Sequence, residues 1–130
     1  MKILGIDYGT RTLGLSGWDS SLTFPLPKPP LRVQNDREAL ARIKALLRED
    51  PVDRIVLGLP QTPDPEKSWI VKRIRAFGRA LEEATGVPVD FVSEDFSTRE
   101  AAAASPRNET DDTVDSLAAT RILETYLRQC

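Results

Sequence analysis

The chain has 130 residues, enough for one domain with one sheet and a few helices but not for two lobes closing over a substrate. Its 40% hydrophobic and 29% charged content is that of a globule, and a net charge of −2 speaks against wholesale coating of nucleic acid while leaving room for a local basic face. No run of about 18 apolar residues exists to span a membrane, and Met1–Asp7 lacks the apolar core and cleavage site of a secretory signal, so the expected location is the cytoplasm.

Cys130 is the single cysteine and there is no histidine. This removes intramolecular disulfides, multi-cysteine zinc sites, Ser-His-Asp and Cys-His catalysis, and every His-ligated metal. Any metal must therefore sit on oxygen, which makes carboxylates with Mg²⁺ or Mn²⁺ the leading chemistry for an enzyme of this composition.

Residues 2–7 form an apolar run ending at Asp7, and residues 13–18 form a second behind Gly9-Thr10; together they predict a hairpin. Leu22-Thr23-Phe24 suggests a short third strand, and Pro25 to Pro30 reads as a loop because proline cannot donate to a ladder. Asn35 followed by Glu38 has the form of a capping box, opening a helix over about 36–49 with Leu40, Ile43 and Leu47 on one side. Arg54 to Gly58 reads as a buried strand. The next helix is expected to begin at Asp64-Pro65, with Ser68 as the other candidate cap, to carry Ile70, Ile74, Phe77 and Leu81 inward, and to stop at Thr85-Gly86. Residues 87–92 form another strand that delivers Glu94 just past its end. A short capped helix from Ser97 to about Ala104, a polar stretch from Ser105 to Asp111 and a last helix from about Thr113 to Arg128 complete the chain. The order predicts an α/β domain whose mixed sheet combines an antiparallel hairpin with parallel strands joined by helical crossovers.

Three acids stand out. Asp7 and Glu94 end apolar strands, and the carboxyl ends of parallel strands form the ligand face of an α/β sheet. Asp115 lies in the first turn of the last helix. Three converging carboxylates repel one another unless cations lie between them, and two Mg²⁺ or Mn²⁺ ions there would suit hydrolysis of a phosphodiester by water. The same residues also have plainer readings: Asp7 as a turn cap, Glu94 as a solvated loop acid, Asp115 as helix N-terminal charge.

Four collinear motifs add a resemblance over nearly the whole chain: Ile6-Asp7-Tyr8-Gly9-Thr10-Arg11 through Gly14; Val56-Leu57-Gly58-Leu59-Pro60; Ser93-Glu94-Asp95-Phe96-Ser97-Thr98; and Val114-Asp115-Ser116-Leu117-Ala118-Ala119. In this order they resemble the YqgF/RuvX family, whose members are described as Holliday-junction resolvases or pre-16S rRNA nucleases. The resemblance implies one RNase H-like nuclease domain over residues 1–130, with helices on both faces of the sheet, and metal-binding catalytic roles for Asp7, Glu94 and Asp115. It implies nucleic acid as partner, with RNA favoured and a branched DNA junction, cut by a homodimer, as the alternative. Two departures bear on this: Ser93-Glu94-Asp95 stands where the family has Asp-Glu-Arg, and Thr110-Asp111-Asp112-Thr113 replaces a basic stretch, weakening attraction for a phosphate backbone. Asp112 shares a helix face with Asp115 and is either a further metal ligand or the helix N-cap.

Lys72, Arg75 and Arg79 fall opposite the apolar stripe of their helix, with Arg73 at its flank and Lys67 nearby. They form either a phosphate-tracking face or solvated surface; Arg73 and Arg75 match arginines of the family's corresponding helix, which implies substrate contact. Thr10 and Arg11, just beyond Asp7, are placed to reach a scissile phosphate. Asp7-Tyr8-Gly9-Thr10 also resembles the phosphate-binding hairpin of actin-like and sugar-kinase folds, but those need two lobes. A noncatalytic module holding structured RNA is the remaining rival.

Overall fold

The computed structural model describes residues 1–94 and 111–129, and for 111–116 the backbone only. Among the described residues, β1 (Lys2–Asp7), β2 (Thr12–Asp19), β3 (Leu26–Arg32), β4 (Arg54–Pro60) and β5 (Val89–Glu94) form one sheet in the order β3-β2-β1-β4-β5. β1 and β2 make the expected hairpin, from Lys2↔Asp19 to Asp7↔Gly14, while β1, β4 and β5 run parallel. The crossovers carry α1 (Asp36–Glu49) and α2 (Trp69–Thr85), and α3 (Asp111–Gln129) closes the fold. The short helix expected from Ser97 and the polar stretch after it lie outside the described residues. Among the described residues no helix is long and apolar enough to cross a membrane.

Strand alternation sorts the core onto two faces. Leu4, Ile6, Leu13, Leu15, Ile55, Leu57 and Leu59 pack against Ala39 and Ile43 of α1 and Val71, Ile74, Phe77 and Leu81 of α2. Ile3, Val56 and Val92 face the other way, onto Ile122 and Leu123 of α3. Burial on both sides is why β1 and β4 read as continuous apolar runs. The α3 side is tight at one point: a Cβ at Gly5 would stand 2.5 Å from Leu123 Cγ and from Ser16 Oγ, and 3.1 Å from the Ala119 carbonyl. Glycine lets the helix backbone come down there, and the buried Ser16 hydroxyl donates to the Ala119 carbonyl at 2.7 Å.

The local signals behaved unevenly. Asn35 Oδ1 accepts from the Glu38 amide at 2.9 Å, and Glu38 reaches back to the Gln34 amide at 2.6 Å, so the predicted box closes one residue wider than its usual form. Gly86, at φ 74°, ends α2 with its amide on the Glu82 carbonyl, as Thr85-Gly86 predicts. Three expectations are corrected. Pro65–Lys67 is a separate 3₁₀ turn, and α2 begins at Ser68, whose hydroxyl caps the Val71 amide at 3.3 Å. The third strand is not Leu22-Thr23-Phe24 but Leu26–Arg32, prolines included, because it is an edge strand paired on one side only, where missing amide donors cost little. α3 starts ahead of the expected Thr113, so Asp112 lies inside the helix rather than capping it.

Candidate active site

Asp7 ends β1 with its side chain on the α3 face and only 2% exposure. Its neighbours in register are glycines: Gly14 pairs with it on β2, and Gly58 follows the Ile6↔Leu57 pair on β4. Gly58 in turn pairs with Val92, and two residues on, Glu94 ends β5 opposite Pro60, 7% exposed and on the same face. The two acids thus flank β4 at strand separations of about 4.8 Å each, with no side chain from Gly58 between them. The buried polar residues among those described are Asp7, Ser16 and Glu94, so both buried acids sit at carboxyl ends of parallel strands. Strand patterning alone predicts this pairing.

What holds Glu94 was not legible. Thr125 Oγ1 donates to Glu94 Oε2 at 2.7 Å, and Arg121 Nε lies 4.0 Å from Oε1. Arg121 and Thr125 stand four apart on α3, a spacing that puts both on one side of the helix beside the Ala118-Ile122 stripe; nothing local points them at a strand end. Tyr126 adds a hydroxyl on Asp90 Oδ2 at 2.7 Å. These contacts give the buried Glu94 carboxylate a hydrogen bond and a nearby cation, without which its burial would be costly. Asp115 lies one helical turn before Ala119, the residue seated over Gly5, and Asp112 precedes it by three. Both fall in the stretch described by backbone alone.

The connection after Asp7 carries Thr10 and Arg11, both exposed at the same edge of the sheet; the Arg11 carbonyl accepts from the Val33 amide at 2.9 Å. On α2 the predicted basic stripe divides. Lys72, Arg75 and Arg79 face solvent, Arg75 with its guanidinium 5.8 Å from the Phe91 ring centre. Lys67 is exposed beside Asp64. Trp69, at the start of α2, is 66% exposed, an indole face of the kind on which bases stack. Arg73, its side chain 40% exposed, turns toward Tyr8 and Asp36 instead: its Nε donates to the Tyr8 hydroxyl at 2.6 Å and stands 3.5 Å from Asp36 Oδ2. Tyr8 donates to Asp36 Oδ1 at 2.6 Å, and burial together with that carboxylate pushes its phenol up to about 12 despite Arg73. Sequence reading assigned Arg73 to substrate and overlooked Tyr8 and Asp36.

In chemistry, the edge offers two buried carboxylates with no side chain at Gly58 between them, and Arg11 exposed on the adjoining turn. A donor set of oxygens alone fits a hard divalent cation.

The model of the family described as "RuvX: Holliday junction resolvase" matches residues 1–129. A protein of Pediococcus pentosaceus named "Putative pre-16S rRNA nuclease" is 34% identical over 140 residues, covering 98% of this chain and 92% of the relative. Among solved structures, Thermus thermophilus RuvC in complex with a Holliday junction substrate superposes with a TM-score of 0.62 at 17% identity, covering 99% of this chain and 96% of that one. The fowlpox virus Holliday junction resolvase does so at 0.57 and 15%, covering the whole of both chains. The two structures show the RNase H-like fold of the RuvC-type resolvases, as the sequence resemblance implied. The chain belongs to the RuvX family and is a nuclease that hydrolyses phosphodiester bonds.

Proposed function

We propose that this nuclease cuts RNA, as in 5′-end processing of 16S rRNA precursors, at a centre formed by Asp7, Glu94 and Asp115 and loaded with Mg²⁺ or Mn²⁺, two ions in all. The observation that carries the site is the pair of buried carboxylates at the ends of β1 and β5, on one face and separated by Gly58. Asp115 is assigned because its turn of α3 precedes the residue seated over Gly5, two positions before Asp7 on the same face. Bound cations would supply charge neutralisation at the scissile phosphate and activation of water. The protein's own part is positional. Asp7 is fixed by its strand, Glu94 is oriented by the Thr125 hydroxyl, and Arg11 at the adjoining turn meets a phosphate oxygen; Thr10 beside it offers a hydroxyl. Asp112, one turn from Asp115, is a candidate further ligand. Lys72, Arg75 and Arg79 form the outer phosphate track; replacing Lys72 or Arg75 by Glu should flatten the salt dependence of RNA binding by about 0.7 in log-log slope per lost contact.

RNA is favoured over a DNA junction because relatives matched over nearly their whole length at about one-third identity carry the rRNA nuclease name; the family model carries the junction resolvase description, but the solved junction resolvases share with this chain the fold alone. The acidic Asp111-Asp112 pair also lowers attraction for a duplex-rich substrate. This function places the protein in the cytoplasm and needs no dimer, which symmetric junction cutting would. Side-by-side cleavage of a single-stranded precursor RNA and a four-way DNA junction, each with Mg²⁺ and Mn²⁺, tests it. We expect the RNA to be cut with the higher kcat/KM and Asp7→Asn to abolish cutting. Faster junction cleavage by a dimer would move the substrate to DNA, and an active Asp7→Asn enzyme would remove the site.

A further inference from the structure

We infer that Tyr8, Asp36 and Arg73 form a tether that positions Asp7, and that Arg73 serves the reaction through Tyr8 rather than by touching substrate. Tyr8 follows Asp7 directly. Its ring is 4% exposed and packs at 5.0 Å from Phe77 of α2, on the sheet face opposite the acid centre. Its hydroxyl is used twice, donating to Asp36 at the first position of α1 and accepting from Arg73 in the second turn of α2, both at 2.6 Å. The Arg73–Asp36 contact at 3.5 Å closes the triangle, and the guanidinium carbon lies 5.9 Å from the Tyr8 ring centre. Three elements separated by up to 65 positions in sequence therefore meet on one phenol oxygen.

The consequence follows from strand geometry. Successive side chains leave an extended backbone on opposite sides, so holding the Tyr8 ring and hydroxyl between two helices fixes the Cα–Cβ direction of Asp7 on the far side. The residues just beyond, Gly9 to Arg11, form the turn at the site edge, where an unanchored chain would be free to swing. Misplacement by about 1 Å at a reacting centre costs about a hundredfold in rate. Arg73 differs from Lys72, Arg75 and Arg79 in this respect: those three face solvent, whereas its Nε is committed to Tyr8.

This inference rests on Asp7 belonging to the active centre, and the experiment keeps the two apart. Tyr8→Phe retains the ring on Phe77 and removes the hydroxyl; Arg73→Gln and Asp36→Asn remove the other two corners. Each is assayed for kcat, KM and the salt dependence of RNA binding, with Asp7→Asn alongside and thermal melts as a check on folding. We expect each single variant to lose about ten- to a hundredfold in kcat with KM and salt slope unchanged, and Tyr8→Phe/Arg73→Gln to be no slower than the worse single variant. An Arg73→Gln enzyme with normal kcat, raised KM and a slope flatter by about 0.7 would make Arg73 a phosphate contact and overturn the tether. Wild-type kcat in all three variants beside an inactive Asp7→Asn would also overturn it. An Asp7→Asn enzyme that cuts normally would instead overturn the site on which the inference stands.

Discussion

The two faces of the sheet are built for different ends. On the α1/α2 side, leucines and isoleucines of β1, β2 and β4 meet two amphipathic helices in one continuous apolar cluster, and at its rim its member Tyr8 bonds Asp36 and Arg73. On the α3 side the apolar cluster is the smaller one among the described residues, the helix rests on Gly5 and Ser16, and the strands end in Asp7 and Glu94. Burying acids costs stability, which the apolar packing of the other face helps supply. A single layer of sheet can therefore present charge on one side because the opposite side is packed as an ordinary hydrophobic core.

The largest effect that would sharpen this contrast is at Asp115. Asp115→Asn should lower cleavage by about a thousandfold or more while leaving metal-free thermal stability equal or higher, since one charge leaves a crowded acid centre. Mn²⁺ at a hundredfold excess over its dissociation constant should stabilise the wild type by about 2.7 kcal/mol and the variant by less. A merely structural Asp115 would show the opposite pattern in the same melts and assay, a destabilised protein that still cuts.

Next comes the supporting face. Ile43→Ala removes a fully buried side chain beneath the α1/α2 layer and should cost about 2–5 kcal/mol in denaturant unfolding, with kcat per folded molecule unchanged. A kcat loss at full folding would mean the two faces are not separable. Smaller is Gly5→Ala, which adds a methyl where Leu123 and the Ala119 carbonyl already crowd in. About 1–3 kcal/mol of overpacking is expected, together with reduced cleavage, because α3 must lift from the strand that carries Asp7. Retained activity would free the acid centre from the seating of the helix.

The smallest effect is alkaline. The Tyr8 phenol is raised from 10.0 to about 12, so the folded state holds its proton more tightly than the unfolded chain. Its contribution to stability is full below pH 10 and is lost as pH rises through about 12. Unfolding titrations between those limits should fall more steeply for the wild type than for Tyr8→Phe; equal slopes would show that the rim network does not hold the proton.

Much of this molecule could be read along the chain because the signals are local. The Asn35–Glu38 box, the inward stripe of α2, the stop at Gly86 and the apolar runs closed by Asp7 and Glu94 each depend on residues a few positions apart. β3 could not be read, since whether a proline-rich stretch joins a sheet depends on its being at the edge, a property of strand order. The start of α2 went to Ser68 over Asp64: the Ser68 hydroxyl accepts from the Val71 amide, whereas the Asp64 side chain makes no cap bond to the 3₁₀ turn that follows it.

The sequence by itself determined the α/β class, the absence of histidine chemistry and of multi-cysteine sites, the paired strand-end acids and membership of a nuclease family, because composition, periodicity and collinear motifs are properties of the chain. Only the tertiary structure decided that Arg73 faces Tyr8 and Asp36 while Arg75 faces solvent, that Thr125 orients Glu94, and that glycines 14 and 58 flank Asp7. The side-chain contacts among these join residues 31 to 65 positions apart across different elements, and a side chain's partner at that distance is set by how the helices seat on the sheet.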